Sequence, residues 1–340
     1  MEGLQNKKNQ IMGIGFMIVL MIAVISYILK DESVDSILQV ISSANSNFII
    51  LSISMMIFYN LCEGINIWIT MKALKIKASF INCLGYGFVG FYFSSITPSA
   101  SGGQPAQAYF MKRDGITFTS SSLSLMILLF AHQLVIIVLG IIAFFIKPDV
   151  SLTYQTGFNI LLFYGFISNA IILIGILMFI FSPKLVFKIL NTVGILLYKV
   201  KLIKNREKLH KRIDRSIKEY EAGARYMRNN PIPILCVTIV TIFQILSLFI
   251  IPYFIYIGFG LGKYSMWEIL LTQAILNIAV SSLPLPGSVG ASESVFLDMF
   301  KGLFGDLIIP GMLLTRIANF YFALIFSGII SLIMYVKKVR

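Results

Sequence analysis

The chain has 340 residues, of which 57% are hydrophobic and 13% are charged, and its formal net charge is +13. A water-soluble domain carries about 25% charged residues, so this chain has too few charges to face water on all sides. Its mean hydropathy is +0.86. The composition therefore excludes a soluble enzyme and indicates a protein that uses lipid as part of its solvent.

Six apolar stretches are long enough to cross a bilayer as helices, which takes about 20 residues each. The first stretch is followed by Lys30, Asp31 and Glu32 rather than by a small-residue cleavage site, so we interpret it as a retained span. The sequence thus predicts an all-α integral membrane protein with a single polytopic domain over residues 1–340. The predicted spans are 11–29, 47–70, 121–146, 158–181, 232–257 and 308–335.

Basic residues predict which ends of the spans lie inside the cell. Lys7 and Lys8 place the N-terminus inside, and the segment from Lys184 to Arg228 has thirteen basic and four acidic residues. Beside membrane spans this excess indicates a cytoplasmic loop near anionic lipid, and no nucleic-acid motif accompanies it. Residues 184–230 are therefore predicted to be a basic cytoplasmic connector, in which apolar residues recur at helical spacing at Leu209, Ile213, Ile217, Tyr220, Ala224 and Met227.

Two shorter apolar segments end in runs rich in proline, glycine and serine, 97–105 and 284–290. If the first segment crossed the bilayer fully, the basic connector would lie outside, against the positive-inside rule. A full crossing by the second would place the basic C-terminal tail outside as well. We therefore predict two re-entrant helical hairpins, 80–111 entered from inside and 264–304 entered from outside, with both chain termini inside.

Hairpins that enter from opposite faces are typical of inverted-repeat transporters. A shift of 187 residues places Ser94 and Ser95 on Ser281 and Ser282, and it also aligns Ser101 with Ser288 and Gly103 with Gly290. The predicted architecture is about six full transmembrane helices plus two re-entrant hairpins in an inverted repeat. The alternative interpretation is that both runs are tight turns at the membrane surface.

Interrupted helices at membrane depth predict a binding site. Each unpaired backbone group in hydrocarbon costs several kcal/mol, so such turns persist only within protein or beside a water-filled cavity. The helices that begin near Gln104 and Ala291 offer backbone N–H groups suited to a phosphate or carboxylate. The predicted substrate-binding residues are Glu63, Ser101, Gly103, Gln104, Ser288, Gly290, Glu293 and Arg316.

Two of these residues carry charge inside predicted spans, where charge is costly. Arg316 either grips a lipid phosphate with its planar guanidinium or forms an ion pair with Glu293; the two roles are compatible. Glu63 could meet a cationic headgroup or a proton, pair with Arg316, or cap neighbouring backbone. His132 is interpreted as a packing residue rather than a proton relay.

Motifs of soluble catalysis are absent from the sequence. It contains no Walker A loop, HExxH, GxSxG or paired Cys/His pattern, and Cys62, Cys83 and Cys236 form no CxxC pair. No catalytic residue, metal site or cofactor is therefore predicted, and the chain is not expected to be an enzyme.

The runs 97–109 and 284–293 resemble the two loops of the lysylphosphatidylglycerol synthase/flippase transmembrane family, and Arg316 stands where that family carries an arginine in its last helix. The resemblance covers essentially the whole chain. Family members with a cytosolic C-terminal domain make lysylphosphatidylglycerol from Lys-tRNA and phosphatidylglycerol and flip it outward. The flipping is assigned to the membrane part. Since the aminoacyl-transfer domain is not among these 340 residues, the resemblance implies flipping rather than synthesis.

The sequence thus leads to one expected function and two alternatives. The expected function is a flippase of the cytoplasmic membrane that moves lysylphosphatidylglycerol or a related anionic, aminoacylated or polyprenyl lipid. The alternatives are an ion-coupled transporter of a small solute and an intramembrane transferase acting on a lipid-linked substrate. Expected partners are membrane lipids and no nucleic acid; a separate lipid-synthesising enzyme and a second copy of the chain remain open.

Overall fold

The structure is a computed structural model that describes residues 34–146, 156–182, 220–227 and 229–337, together with Thr192 and Lys218. The predicted span 11–29 and most of the connector 184–230 lie outside the described residues. In the described part every regular element is helical, which confirms the all-α fold. The helices are α1 (Val34–Ser43), α2 (Ser46–Ala73), α3 (Phe80–Ser95), α4 (Gly103–Arg113), α5 (Phe118–Ile146), α6 (Thr156–Phe181), α7 (Ile232–Phe249), α8 (Ile251–Gly258), α9 (Met266–Val280), α10 (Ala291–Phe304), α11 (Ile308–Arg316) and α12 (Phe322–Val336).

Five helical stretches of the described chain are long and apolar enough to cross a membrane. Large apolar side chains point outward from them, among them Phe145, Phe163 and Ile239. Such a surface suits lipid rather than water. Together with the composition, it identifies an integral membrane protein. The five stretches are Ser46–Ala73, Phe118–Ile146, Phe158–Ile180, Ile232–Gly258 and Pro286–Val336.

Contacts along α2 show the direction in which the neighbouring helices α7 and α8 run. The Asn66 side chain donates to the Thr241 hydroxyl of α7 at 3.0 Å, and the Asn45 N–H donates to the Gly258 carbonyl at the end of α8 at 2.9 Å. The residue numbers rise along α7–α8 as they fall along α2, so the two run antiparallel. The helix α9 therefore starts from the end of the bundle where α2 begins.

The helix α3 starts from the other end. The rings of Trp68 and Phe80 meet edge-to-face at 5.4 Å, next to the end of α2. Farther along, a Cβ added to Gly64 would lie 2.4 Å from the Leu84 Cα, so the two backbones approach as closely as only glycine allows. The two helix pairs α3–α4 and α9–α10 therefore enter the bundle from opposite ends.

The packing between the two pairs is reciprocal. The helix α3 packs against α12, which follows the second pair, whereas α9 packs against α5 and α6, which follow the first. Each pair thus contacts helices of the other half of the chain as well as helices of its own half, which is the packing expected of an inverted repeat. At the end where α2 finishes, the helical segment 220–227 buries Tyr220, Ala224 and Met227 against the bundle.

Candidate functional site

The two helix pairs turn through the same backbone conformation. Each turn is a short 3₁₀ segment that begins with proline, Pro98–Ala100 in the first pair and Pro286–Ser288 in the second. The two residues after each proline have positive φ, 50° and 53° in the first turn and 57° and 51° in the second. Pro286 thus corresponds to Pro98, which shifts the correspondence by one residue from the alignment made on sequence.

The two turns contact each other inside the bundle. Their contact is apolar, since Ile96 and Val289 form one buried cluster with Phe320 and Leu324. The second turn also reaches the middle of two long helices. The Asn169 side chain of α6 donates to the hydroxyl groups of Ser281 and Ser282 at 3.1 Å each, and Gln133, halfway along α5, donates to Asn169. Both turns therefore lie near mid-bundle rather than at its ends.

A cavity of about 440 Å³ lies between the turns. Its wall is mixed, with hydroxyl, amide and carboxylate groups on one part and aliphatic side chains on another. One aliphatic member, Ile172 of α6, is itself exposed, so the cavity is open at this helix rather than sealed. The polar lining consists of Tyr59, Asn60, Glu63, Ser94, Ser95, Ser99, Ser101, Gln104, Gln107, His132, Gln133, Asn169, Gln244, Ser281, Ser282 and Ser288.

The Glu63 carboxylate lies on this wall and is bound by neutral groups. Its Oε1 accepts from the Gln107 amide at 3.4 Å, and its Oε2 accepts from the Gln244 amide at 3.1 Å. Both glutamines are buried, and Gln107 also donates to the Tyr86 carbonyl. The pairing with Arg316 considered from the sequence is not formed, because Arg316 is engaged elsewhere.

Arg316 pairs with Glu293. The Arg316 Nε donates to the Glu293 Oε1 at 2.7 Å, and both side chains are buried. The same guanidinium donates to the Gly287 carbonyl at 3.2 Å and lies 4.6 Å from the centre of the Phe320 ring. The other oxygen of Glu293 accepts from the Gly290 N–H at 2.7 Å. The pair therefore fixes the second turn at both of its sides.

The predicted site residues fall into two groups. Glu63, Ser101, Gln104 and Ser288 line the cavity together. Gly103 is a packing residue, since a Cβ there would lie 2.8 Å from the Gly90 carbonyl oxygen, and Gly290 has a positive φ of 89° at the start of α10. With Glu293 and Arg316 they shape the turns rather than the cavity wall, and whether any of the eight residues binds substrate stays a prediction.

Sequence reasoning missed several cavity residues. Gln107 and Gln244 hold Glu63, Asn60 lies one turn before it, and Phe320 supports the second turn. A signal for Asn60 and Gln244 was present, since a polar side chain within a predicted apolar span faces protein or a cavity. Gln107 lies on the polar helix after the first turn, where it carried no such signal. Phe320 carried no such signal, because an aromatic residue in a membrane helix is ordinary.

A model of a known protein family matches this chain. The model, described as the lysylphosphatidylglycerol synthase TM region, matches residues 11–327. The chain belongs to this family. A protein of Archaeoglobus fulgidus described as a UPF0104 membrane protein is 24% identical over 326 residues, covering 91% of this chain and 94% of its own length. Both turns and all eight predicted site residues lie within the matched range.

Proposed function

We propose that this protein is a lipid flippase, in which the cavity between the two turns carries a headgroup across the bilayer while the acyl chains stay in lipid. The observation that carries the proposal is the cavity itself, whose wall combines polar groups of both turns and the Glu63 carboxylate with the exposed aliphatic side chain of Ile172 on the apolar helix α6. A headgroup could pass only if the turns separate alternately toward each face.

The charges of the described residues support one orientation in the cytoplasmic membrane. Lys75 lies over the Tyr226 ring and Arg113 donates to the Tyr335 carbonyl, so these two basic residues lie where α2 ends, beside segments that carry Arg225 and Lys337. The opposite end carries mainly acidic residues: Asp35, Glu268, Asp298 and Asp306 with Lys263 and Lys301. By the positive-inside rule the basic end faces the cytoplasm. The first turn is then reached from inside and the second from outside.

The wall of the cavity favours a headgroup with both a phosphate and an amine. The first turn of α4 brings backbone N–H groups to the cavity beside Gln104, and no side chain caps them. Such helix starts bind phosphate. Glu63 offers a carboxylate to a positive group. An aminoacylated phospholipid such as lysylphosphatidylglycerol carries both, and the protein is proposed to move it without synthesising it.

The test is transbilayer movement of lysylphosphatidylglycerol with a fluorescent acyl chain in proteoliposomes. Dithionite quenches only the outer leaflet, so the quenched fraction reports redistribution. Ser101→Phe should slow redistribution at least about tenfold, equivalent to about 1.4 kcal/mol on the barrier, because Ser101 is exposed within the cavity.

Ser54→Phe is the matched control, because Ser54 is exposed on α2 and is not part of the cavity wall. It introduces the same ring and should leave the rate unchanged. The proposal is refuted if wild-type protein redistributes no more lipid than empty liposomes do. Turnover of a lipid-linked substrate without redistribution would favour the transferase alternative instead.

A further inference from the structure

The charge of Glu63 is not fixed by any neighbour that the structure describes. Within the described ranges no lysine or arginine lies at ion-pair distance from it, whereas Glu293 pairs with Arg316 at 2.7 Å. The hydrogen-bond partners of Glu63 are the neutral amides of Gln107 and Gln244. An ionised carboxylate in this position is therefore hydrogen-bonded but not neutralised, and it can exchange one cation for another without breaking an ion pair.

A second observation concerns Asn60, which lies one helical turn before Glu63 and lines the same cavity. Asn60 is buried, and its Nδ2 donates to the Met56 carbonyl at 3.0 Å. Its Oδ1 accepts from no group in the described part of the chain. A protonated carboxyl group gains one O–H donor, and Asn60, three residues earlier, lies on the same face of α2 and carries an acceptor.

The other titratable groups near Glu63 do not neutralise its negative charge. On α2 these are Tyr59 and Cys62, and on α5 it is His132, whose Nε2 lies 3.4 Å from the Tyr59 hydroxyl. Tyr86 of α3 presents its backbone carbonyl on this side, while its hydroxyl donates to Asp114. The helices α4 and α7 present the two amides, and the second turn presents serine hydroxyls. None of these groups supplies a permanent positive charge.

We propose that Glu63 couples lipid movement to a proton, and this proposal rests on the proposed flippase function. The carboxylate pairs with a cationic group of the headgroup on the outward leg. After release it takes a proton from the outer aqueous phase and returns neutral, and the proton leaves to the cytoplasm. An unpaired charge at membrane depth is costly, so the empty ionised form crosses slowly, and one lipid is exchanged for one proton.

The experiment imposes a pH gradient across proteoliposomes that contain lysylphosphatidylglycerol with a fluorescent acyl chain, with potassium and valinomycin holding the membrane potential at zero. For one proton per lipid, a gradient of one pH unit is worth about 1.4 kcal/mol and shifts the transbilayer ratio of the lipid about tenfold at equilibrium. Lipid should accumulate in the leaflet facing the more acidic solution.

Two variants test whether Glu63 is the residue that couples lipid movement to the proton. Glu63→Gln keeps the side-chain shape and should abolish the gradient effect, leaving slow movement to an even distribution. Glu63→Asp keeps a carboxylate and should retain the gradient effect at a lower rate, which shows that the fold tolerates change at this position. A gradient effect that survives in Glu63→Gln, or that disappears in His132→Gln instead, would overturn the assignment to Glu63.

Failure of the coupling differs from failure of the flippase function. If wild-type protein redistributes the lipid but the final ratio ignores the gradient, coupling is refuted and the flippase function stands. If wild-type protein redistributes no lipid at any gradient, the function itself is refuted, and the coupling proposal falls with it.

Discussion

The turn at Pro286–Ser288 is held by a buried ion pair, whereas the turn at Pro98–Ala100 is held by hydroxyl groups. In the second turn Arg316 donates to Gly287 and Glu293 accepts from Gly290. In the first, the Thr97 hydroxyl donates to the Phe93 carbonyl at 2.7 Å and accepts from the Gly102 N–H at 2.8 Å. Charged, buried contacts resist rearrangement more than neutral, accessible ones. We therefore expect the second turn to resist rearrangement more than the first, although the two share a backbone path.

Glu293 and Glu63 differ in the same way as the two turns, one having a charged partner and the other neutral partners. Glu293 has a permanent cationic partner and is almost fully buried, while Glu63 is half-buried and faces the cavity with neutral partners. Glu293 thus holds the second turn, whereas Glu63 lies in the helix before the first turn and is proposed to bind a ligand.

The largest expected effect comes from removing the cation of the second turn. Arg316→Met should lower the free energy of unfolding by about 3–5 kcal/mol, because it leaves the Glu293 carboxylate buried without a partner. Denaturation followed by tryptophan fluorescence in detergent measures it. The double variant Arg316→Met/Glu293→Gln should recover much of the loss. Glu63→Gln should cost less than about 1 kcal/mol, and equal costs for the single changes Arg316→Met and Glu63→Gln would contradict the contrast.

The next effect separates the two turns at their equivalent positive-φ residues. A Cβ added to Gly287 at φ 57° would lie 2.2 Å from the Phe320 ring, so Gly287→Ala should cost about 2 kcal/mol. Ser99 already carries a Cβ at φ 50° and is exposed. Ser99→Ala should therefore stay within about 0.5 kcal/mol of the parent. Thermal unfolding of both variants measures these two stability costs. A Gly287→Ala variant as stable as the parent would show that the second turn is not rigid.

The smallest effect tests the hydroxyl that holds the first turn. Thr97→Val keeps the side-chain shape but removes both hydrogen bonds, which should cost about 1 kcal/mol. Hydrogen–deuterium exchange at Gly102 should accelerate, because its N–H loses the Thr97 acceptor. Exchange at Gly290 serves as the internal reference and should not change. Unchanged protection of Gly102 would mean that the first turn is held by contacts other than this hydroxyl.

The helices were predictable from sequence because long apolar runs and the charges between them carry the information. The spans 47–70 and 121–146 agree closely with Ser46–Ala73 and Phe118–Ile146. The predicted span 308–335 contains a π-helical turn, Ile317–Tyr321, directly after Arg316. No sequence pattern marks such a widened turn.

The candidate site was predictable in part. Proline and glycine runs located both turns, and charge inside predicted spans located Glu63 and Arg316, with Glu293 as a candidate partner of Arg316. The partners of Glu63 were not predicted, because Gln107 and Gln244 reach it from helices far apart in the chain. The one-residue offset between the repeats was missed for a related reason. Serine and glycine are interchangeable in such runs, whereas the positive φ after each proline is visible only in the backbone.

The most direct test of the account joins the two turns covalently. Ser101 and Ser288 line the same cavity, and each is replaced by cysteine. The exposed native Cys236 is replaced by serine to prevent side reactions. A bifunctional methanethiosulfonate reagent then links the pair, with each single cysteine variant as a control. The account predicts that the link stops lipid redistribution and that reductant restores it. Redistribution at the unlinked rate with the turns joined would contradict passage of the headgroup between them.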